Sequence, residues 1–152
     1  TLSGERTARL DDVAAVLAHA AQIEVTDDIR SAKWMKLIAN IPEMLPSALL
    51  GIPLLEAATM PGVRPVMDAM SREAYALAID LGITMRPSLG IAAADVPDGD
   101  QYSLDLLDRV LSHFSQPDTR VAVLQDWEKG RRAELDAFSG YIVDRRAELG
   151  GR

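Results

Sequence analysis

Ile29-Arg30-Ser31-Ala32-Lys33-Trp34-Met35-Lys36-Leu37-Ile38-Ala39-Asn40-Ile41-Pro42-Glu43-Met44-Leu45-Pro46 is the stretch that decides the fold. Trp34, Leu37, Ile38, Ile41 and Leu45 recur at the spacing of an amphipathic helix. Just upstream, Thr26-Asp27-Asp28 supplies side-chain acceptors for the helix's first free N–H groups. Pro42 and Pro46 each remove a backbone donor, so the pattern predicts a helix that kinks or restarts there, with carbonyls freed near Ile38 and Pro42. Gly51 and Pro53 end the segment after about Leu49.

Helical spacing continues on both sides. Upstream, Leu10, Val13, Val16 or Leu17, and Ala20 predict a helix over 8–20. Gln22-Ile23-Glu24-Val25 alternates polar and apolar and predicts a short strand. Downstream, Pro61 can open a helix whose regular interior starts beyond Pro65. There Val66, Met70, Ala74, Leu77 and Leu81 form an expected buried stripe, closed by Gly82. Residues 86–102, with prolines, glycines, Asp95, Asp98 and Asp100, read as an exposed loop. Ser103 is the expected cap of a helix carrying Leu104, Leu107, Val110, Leu111 and Phe114. After a break at Ser115-Gln116-Pro117-Asp118, two closing helices are expected over 119–129 and 134–149, jointed at Gly130. The fold class is therefore mainly α, about six to eight helices, with a short strand near 22–25.

Composition narrows the function. Hydrophobic residues make up 48 % and charged residues 26 % of the 152, as in an ordinary globular protein, while aromatics at 5 % favour helix over sheet. A formal charge of −7 argues against a nucleic-acid partner. The basic residues Arg131-Arg132 and Arg145-Arg146 are interleaved with Glu134, Asp136 and Asp144, as on an ion-paired solvated face. No apolar run reaches the length of a membrane span, and no secretory signal is recognisable, so no membrane role and a cytoplasmic location are expected. There are no cysteines, and His19 and His113 lie far apart, so no metal site is expected. Because the chain starts at Thr1, a piece cut from a longer protein is the simplest expectation.

Two clusters carry candidate chemistry. Lys36 and Asn40 stand at i and i+4 on one helix face. A lysine whose stem packs among Trp34, Leu37 and Ile38 loses hydration and becomes suited to proton transfer. The alternative is that Lys36 snorkels to solvent while Asn40 caps carbonyls freed by Pro42. Lys33 is a rival off the Asn40 face. The second cluster is Asp126, Arg131 and Glu134, where Asp126 and Gly130 share a face and Glu134 follows if the helix continues. Exposed helices, however, carry many such i,i+4 pairs, worth only ~0.3–0.5 kcal/mol each. Trp127 reads as a core or interface anchor, and the six methionines as core filling. Neither a G-x-G-x-x-G after a strand nor a nucleophile elbow at Ser139-Gly140 is present.

Trp34-Met35-Lys36-Leu37-Ile38-Ala39-Asn40 resembles the W-x-K-L-x-x-N segment that opens the C-terminal domain of ketopantoate reductases (2-dehydropantoate 2-reductases). Leu124-Gln125-Asp126, Gly130-Arg131 and Glu134-Leu135-Asp136, then Gly140, resemble the family's L-Q-D…G-R-x-T-E-I-D…G signature, and Glu73 with Gly82 fits its intervening helix. The resemblance implies an NAD(P)H-dependent reductase of 2-keto acids. In it, a separate N-terminal Rossmann domain binds NADPH and a helical C-terminal domain closes the substrate cleft. Residues 1–26 then correspond to the tail of that Rossmann domain, and 27–152 to the substrate and dimerisation domain of a homodimer. Lys36 matches the general acid, Asn40 and Glu134 match substrate-binding residues, and Asp126 and Arg131 are supporting positions. The chain alone is expected to be inactive.

Three positions depart from the family pattern. Met44 replaces a second substrate asparagine, Ala122 a substrate-binding serine, and Ala133 a threonine. Loss of two hydrogen-bonding side chains implies a different, less polar keto compound than ketopantoate. A different class of function is a non-catalytic helical dimerisation or binding module that keeps the fold without the chemistry.

Overall fold

The computed structural model describes residues 3–97 and 99–151, so Asp98, expected in a loop, lies outside the described residues. Seven α-helices follow in order: α1 (Ala8–Leu17), α2 (Ile29–Leu50), α3 (Leu54–Thr59), α4 (Val63–Asp80), α5 (Gln101–Arg109), α6 (Ala122–Glu128) and α7 (Ser139–Glu148).

The deciding stretch becomes α2, the helix on which α3, α4, α5 and α6 pack. Its N-cap is Asp28, whose carboxylate accepts from Ser31 N–H at 3.0 Å. Hydrogen bonding from Ser31, its side chain first and its backbone N–H second, holds the Asp28 carboxyl below its ordinary range. At the other end Gly51 takes φ 69°, the left-handed conformation that lets its N–H reach back to the carbonyls of Ser47 and Ala48. Between the caps α2 does not restart: it runs as one helix through Pro42 and Pro46. Both prolines are buried, so packing offsets the two lost hydrogen bonds. Trp34, Met35, Ile38, Ile41, Met44 and Ala48 are buried, and α2 packs on α3, α4, α5 and α6. A helix buried almost all round is what an interior helix needs.

The inward face of α4 keeps most of the expected stripe: Ala74 and Leu77 are buried, and Met70 and Leu81 pack half-buried against the core. Val66 is exposed instead, while Met67, Ser71 and Ala78 are buried beside the stripe. Small side chains at 71, 74 and 78 let the α2 and α4 backbones approach, and that contact outweighs the burial of Val66.

Other local expectations are also corrected. Residues 22–25 are exposed and belong to no strand among the described residues. A strand needs a partner for its N–H and C=O groups, and this bundle offers no sheet edge. Asp100, not Ser103, precedes α5, and Ser103 sits inside it with Oγ donating to the Asp100 carbonyl at 2.7 Å. Helix α3 went unread, because Pro53 reads as a stop although it directly precedes that helix.

Gly130 is the joint expected after α6, with φ 66°. The Arg131 N–H returns to the Asp126 carbonyl at 2.7 Å, which ends the helix before Glu134. A single turn at Leu135–Ala137 then leads into α7, which packs its Tyr141 ring 6.0 Å from Trp34. Trp127 is exposed and outside the buried core. Of the methionines, Met35, Met44 and Met67 are buried, whereas Met60 is exposed.

Candidate active site

A right-handed helix turns 100° per residue, so positions 36, 40 and 43 fall on one narrow stripe of α2, with 39 and 44 at its borders. Lys36, Asn40 and Glu43 line one wall of a cleft of about 430 Å³, with Ala39 and Met44 beside them. The opposite wall comes from three connecting segments.

Ser88 and Leu89 lie in the loop after α4. That loop is tied down by the Arg86 N–H on Met35 Sδ at 3.5 Å and by the Tyr102 hydroxyl donating to the Arg86 carbonyl. Burial pushes the Tyr102 hydroxyl up to about 12, so it stays a donor. Leu89 itself sits at φ 52°, a left-handed conformation that a branched side chain adopts only under constraint. Val110, Phe114 and Ser115 come from the wider helical turn Val110–Phe114 that extends α5 and from its exit. Thr119 and Val121 lead into α6, fixed by the Leu54 N–H on the Thr119 carbonyl at 2.9 Å.

Lys36 is exposed at the cleft, and among the described residues it makes no hydrogen bond or ion pair. Its stem is therefore not packed in the core: Trp34 and Ile38 bury a different face. The lysine is a cation available to a ligand. Asn40 is half-buried one turn deeper. Lys33 lies outside this cleft, beside Trp34, Leu37 and Tyr141.

Glu43, which the reading of the residues passed over, is the deepest charged group of the cleft. It is only 9 % exposed, and burial raises its carboxyl from 4.5 to about 7. No hydrogen bond or ion pair reaches it among the described residues. The signal that could have found it is simple: seven residues beyond Lys36, it returns to the same face.

The second cluster does not join the first. Glu134 and Arg131 are exposed, Asp126 is half-buried, and none of them lines the cleft. The neighbouring charges behave as a solvated face, with Arg132 paired to Asp136 at 2.7 Å and Arg145 paired to Glu148. Of the departures from the family pattern, Met44 lines the cleft, while Ala122 is exposed beside the lining residue Val121. Among the described residues, no cluster of three or more His, Asp or Glu could hold a metal ion, and no helix is long and apolar enough to cross a membrane.

Comparison with known proteins matches residues 28–151 to the family described as ketopantoate reductase PanE/ApbA, C terminal. Fold and cleft together define a helical domain of the kind that forms the C-terminal part of such reductases. A 2-dehydropantoate 2-reductase of Mesorhizobium japonicum is 34 % identical over 143 residues, covering 93 % of this chain and 39 % of that protein. The crystal structure of a PanE/ApbA family ketopantoate reductase from Ralstonia eutropha JMP134 superposes with a TM-score of 0.76 at 26 % identity, covering 96 % of this chain and 44 % of that one. The chain belongs to the ketopantoate reductase family and spans less than half the length of these two relatives.

Proposed function

We propose that this chain is the substrate-side domain of an NAD(P)H-dependent reductase that converts a 2-keto acid to a 2-hydroxy acid. The observation that carries this reading is the unpaired Lys36 ammonium at the mouth of a cleft shared with Asn40, in a chain of this family. Reduction of a carbonyl places negative charge on its oxygen, and that oxygen must be protonated. A lysine held at the cleft supplies both a stabilising positive charge and the proton. Asn40 offers an amide to orient the carbonyl or the adjacent carboxylate.

Nothing in the described residues cradles a dinucleotide. They contain no strand leading into a glycine-rich turn at a helix N-terminus, and the 430 Å³ cleft suits a small acid. NADPH, the hydride donor, is therefore assigned mainly to a Rossmann-type domain, of which residues 1–26 would be the tail. Val13, Val16 and Leu17, exposed on α1, support this by forming an apolar face without cover. Glu134, Asp126 and Arg131 lie away from the cleft, so their role is proposed for the closed complex, where Glu134 would reach the substrate and help hold the two domains together. A homodimer formed through the helical domain is part of the same proposal.

The test is a steady-state assay of the full-length protein with NADPH or NADH and a panel of 2-keto acids. Oxidation of the nicotinamide coupled to formation of the 2-hydroxy acid is expected. Absence of turnover across the panel, with the acids still binding, would favour the non-catalytic binding module.

A further inference from the structure

The reductase reading leaves Glu43 without a task. It is buried, lines the same cleft as Lys36, and stands two helical turns deeper, about 10 Å along the axis. Around it the cleft is apolar: Met44, Leu89, Val110, Phe114 and Val121. Removing a carboxylate from water without a partner is unfavourable, and a countercharge delivered into the cleft reverses that cost. Among the described residues no protein group provides one. Lys36 is the only other titratable side chain among the described residues that line the cleft, and the segments at 88–89, 110–115 and 119–121 bring only apolar and hydroxyl side chains to its lining. Arg86 lies outside the cleft lining and is ion-paired to Asp27 at 3.2 Å and Asp28 at 3.5 Å, and His113 is bonded to Ser112 outside the cleft.

We infer that Glu43 is a specificity-determining residue that receives a positively charged group on the substrate, so that the cleft takes a dipolar oxo acid, its acid head at Lys36 and its cationic tail at Glu43. The inference rests on the placement of the reacting head at Lys36. Among the described residues that line it, the cleft carries one free cation and one unpartnered acid, set along a largely apolar channel, and a ligand of matching polarity satisfies both. The chain's net charge of −7 further favours a ligand with a positive end. Because burial raises the Glu43 carboxyl to about 7, the group is half ionised near neutrality and is drawn to the carboxylate form by a bound cation.

The experiment compares two isosteres with the full-length protein: a 2-oxo acid ending in a trimethylammonium group and its counterpart ending in tert-butyl. Binding is measured by calorimetry without nicotinamide, and kcat/KM with it. The wild type is expected to bind the cationic compound about tenfold or more tightly, and Glu43→Gln to erase that preference. The affinity for the cationic compound should fall as pH drops through about 7, where Glu43 takes up a proton, while that for the tert-butyl compound does not fall. Equal or weaker binding of the cationic compound by the wild type, or a preference that survives Glu43→Gln, overturns the inference. The wild-type comparison stands on its own if the variant misfolds. Failure of the Lys36 reading shows separately, as unchanged reduction in Lys36→Ala, whereas failure at Glu43 shows in the binding data.

Discussion

Replacing Glu43 by glutamine should make the protein more stable at neutral pH than at acid pH relative to wild type. The folded state raises this carboxyl from 4.5 to about 7 through burial alone. Each pH unit between the two values corresponds to about 1.36 kcal/mol, so the ionised form disfavours folding by roughly 3 kcal/mol. The sign follows from linkage. A carboxyl with a raised folded pKa binds its proton more tightly in the fold, so its favourable contribution is complete below 4.5. That contribution is lost as pH rises toward about 7 and is gone above it. Against a total stability of about 5–15 kcal/mol for a domain, the effect is large. Glutamine keeps the shape and never ionises. Urea unfolding followed by far-UV circular dichroism, on wild type and Glu43→Gln from acid to mildly alkaline pH, measures the difference directly. The other carboxylates titrate alike in both proteins and cancel. The difference in unfolding free energy should climb by roughly 3 kcal/mol between 4.5 and about 7, then level off. A flat difference across that range would refute the reasoning, because it would mean that Glu43 is as hydrated in the fold as in the open chain.

Asp28→Ala removes the side-chain acceptor at the start of α2 and should cost about 0.5–2 kcal/mol, read as a lower denaturation midpoint at unchanged slope. An unchanged midpoint would mean that this helix end is satisfied without its cap. Met44→Asn places an amide on the cleft wall and should raise kcat/KM of the full-length protein for ketopantoate by about tenfold. No gain would show that position 44 does not discriminate between substrates.

Much of the bundle was legible because its signals are local. Asp28 before an apolar stripe and Gly51 after it bound α2 correctly, and Gly130 marked the last joint. Errors arose where tertiary packing decides. Pro42 and Pro46 read as a kink or a restart, and there is no restart, because the two prolines sit buried inside one continuous helix. The alternation at 22–25 has the pattern of a strand, but a strand exists only with a neighbour to bond. On α4 the expected stripe holds at Met70, Ala74, Leu77 and Leu81 but fails at Val66, because the buried face turns toward the small residues Ser71 and Ala78.

The site divides in the same way. Lys36 and Asn40 share a face by spacing alone, and the fold brings them to one cleft. Glu134 was assigned by the family resemblance, and helical spacing would have carried it to the Asp126 face only if the helix ran on past Gly130, so its distance from that cleft could not be read along the chain. Glu43 was within reach of the same spacing arithmetic, but its weight comes from its burial in a cleft completed by Val110, Phe114 and Val121, far away in sequence.

The most direct test of the central claim is the Lys36→Ala variant of the full-length protein, assayed for NADPH-dependent reduction of its best 2-keto acid. If Lys36 protonates the developing alkoxide, kcat should fall by about 10²–10⁴ with the fold intact by circular dichroism. An unchanged kcat would contradict the assignment of this cleft as the place where the carbonyl is reduced.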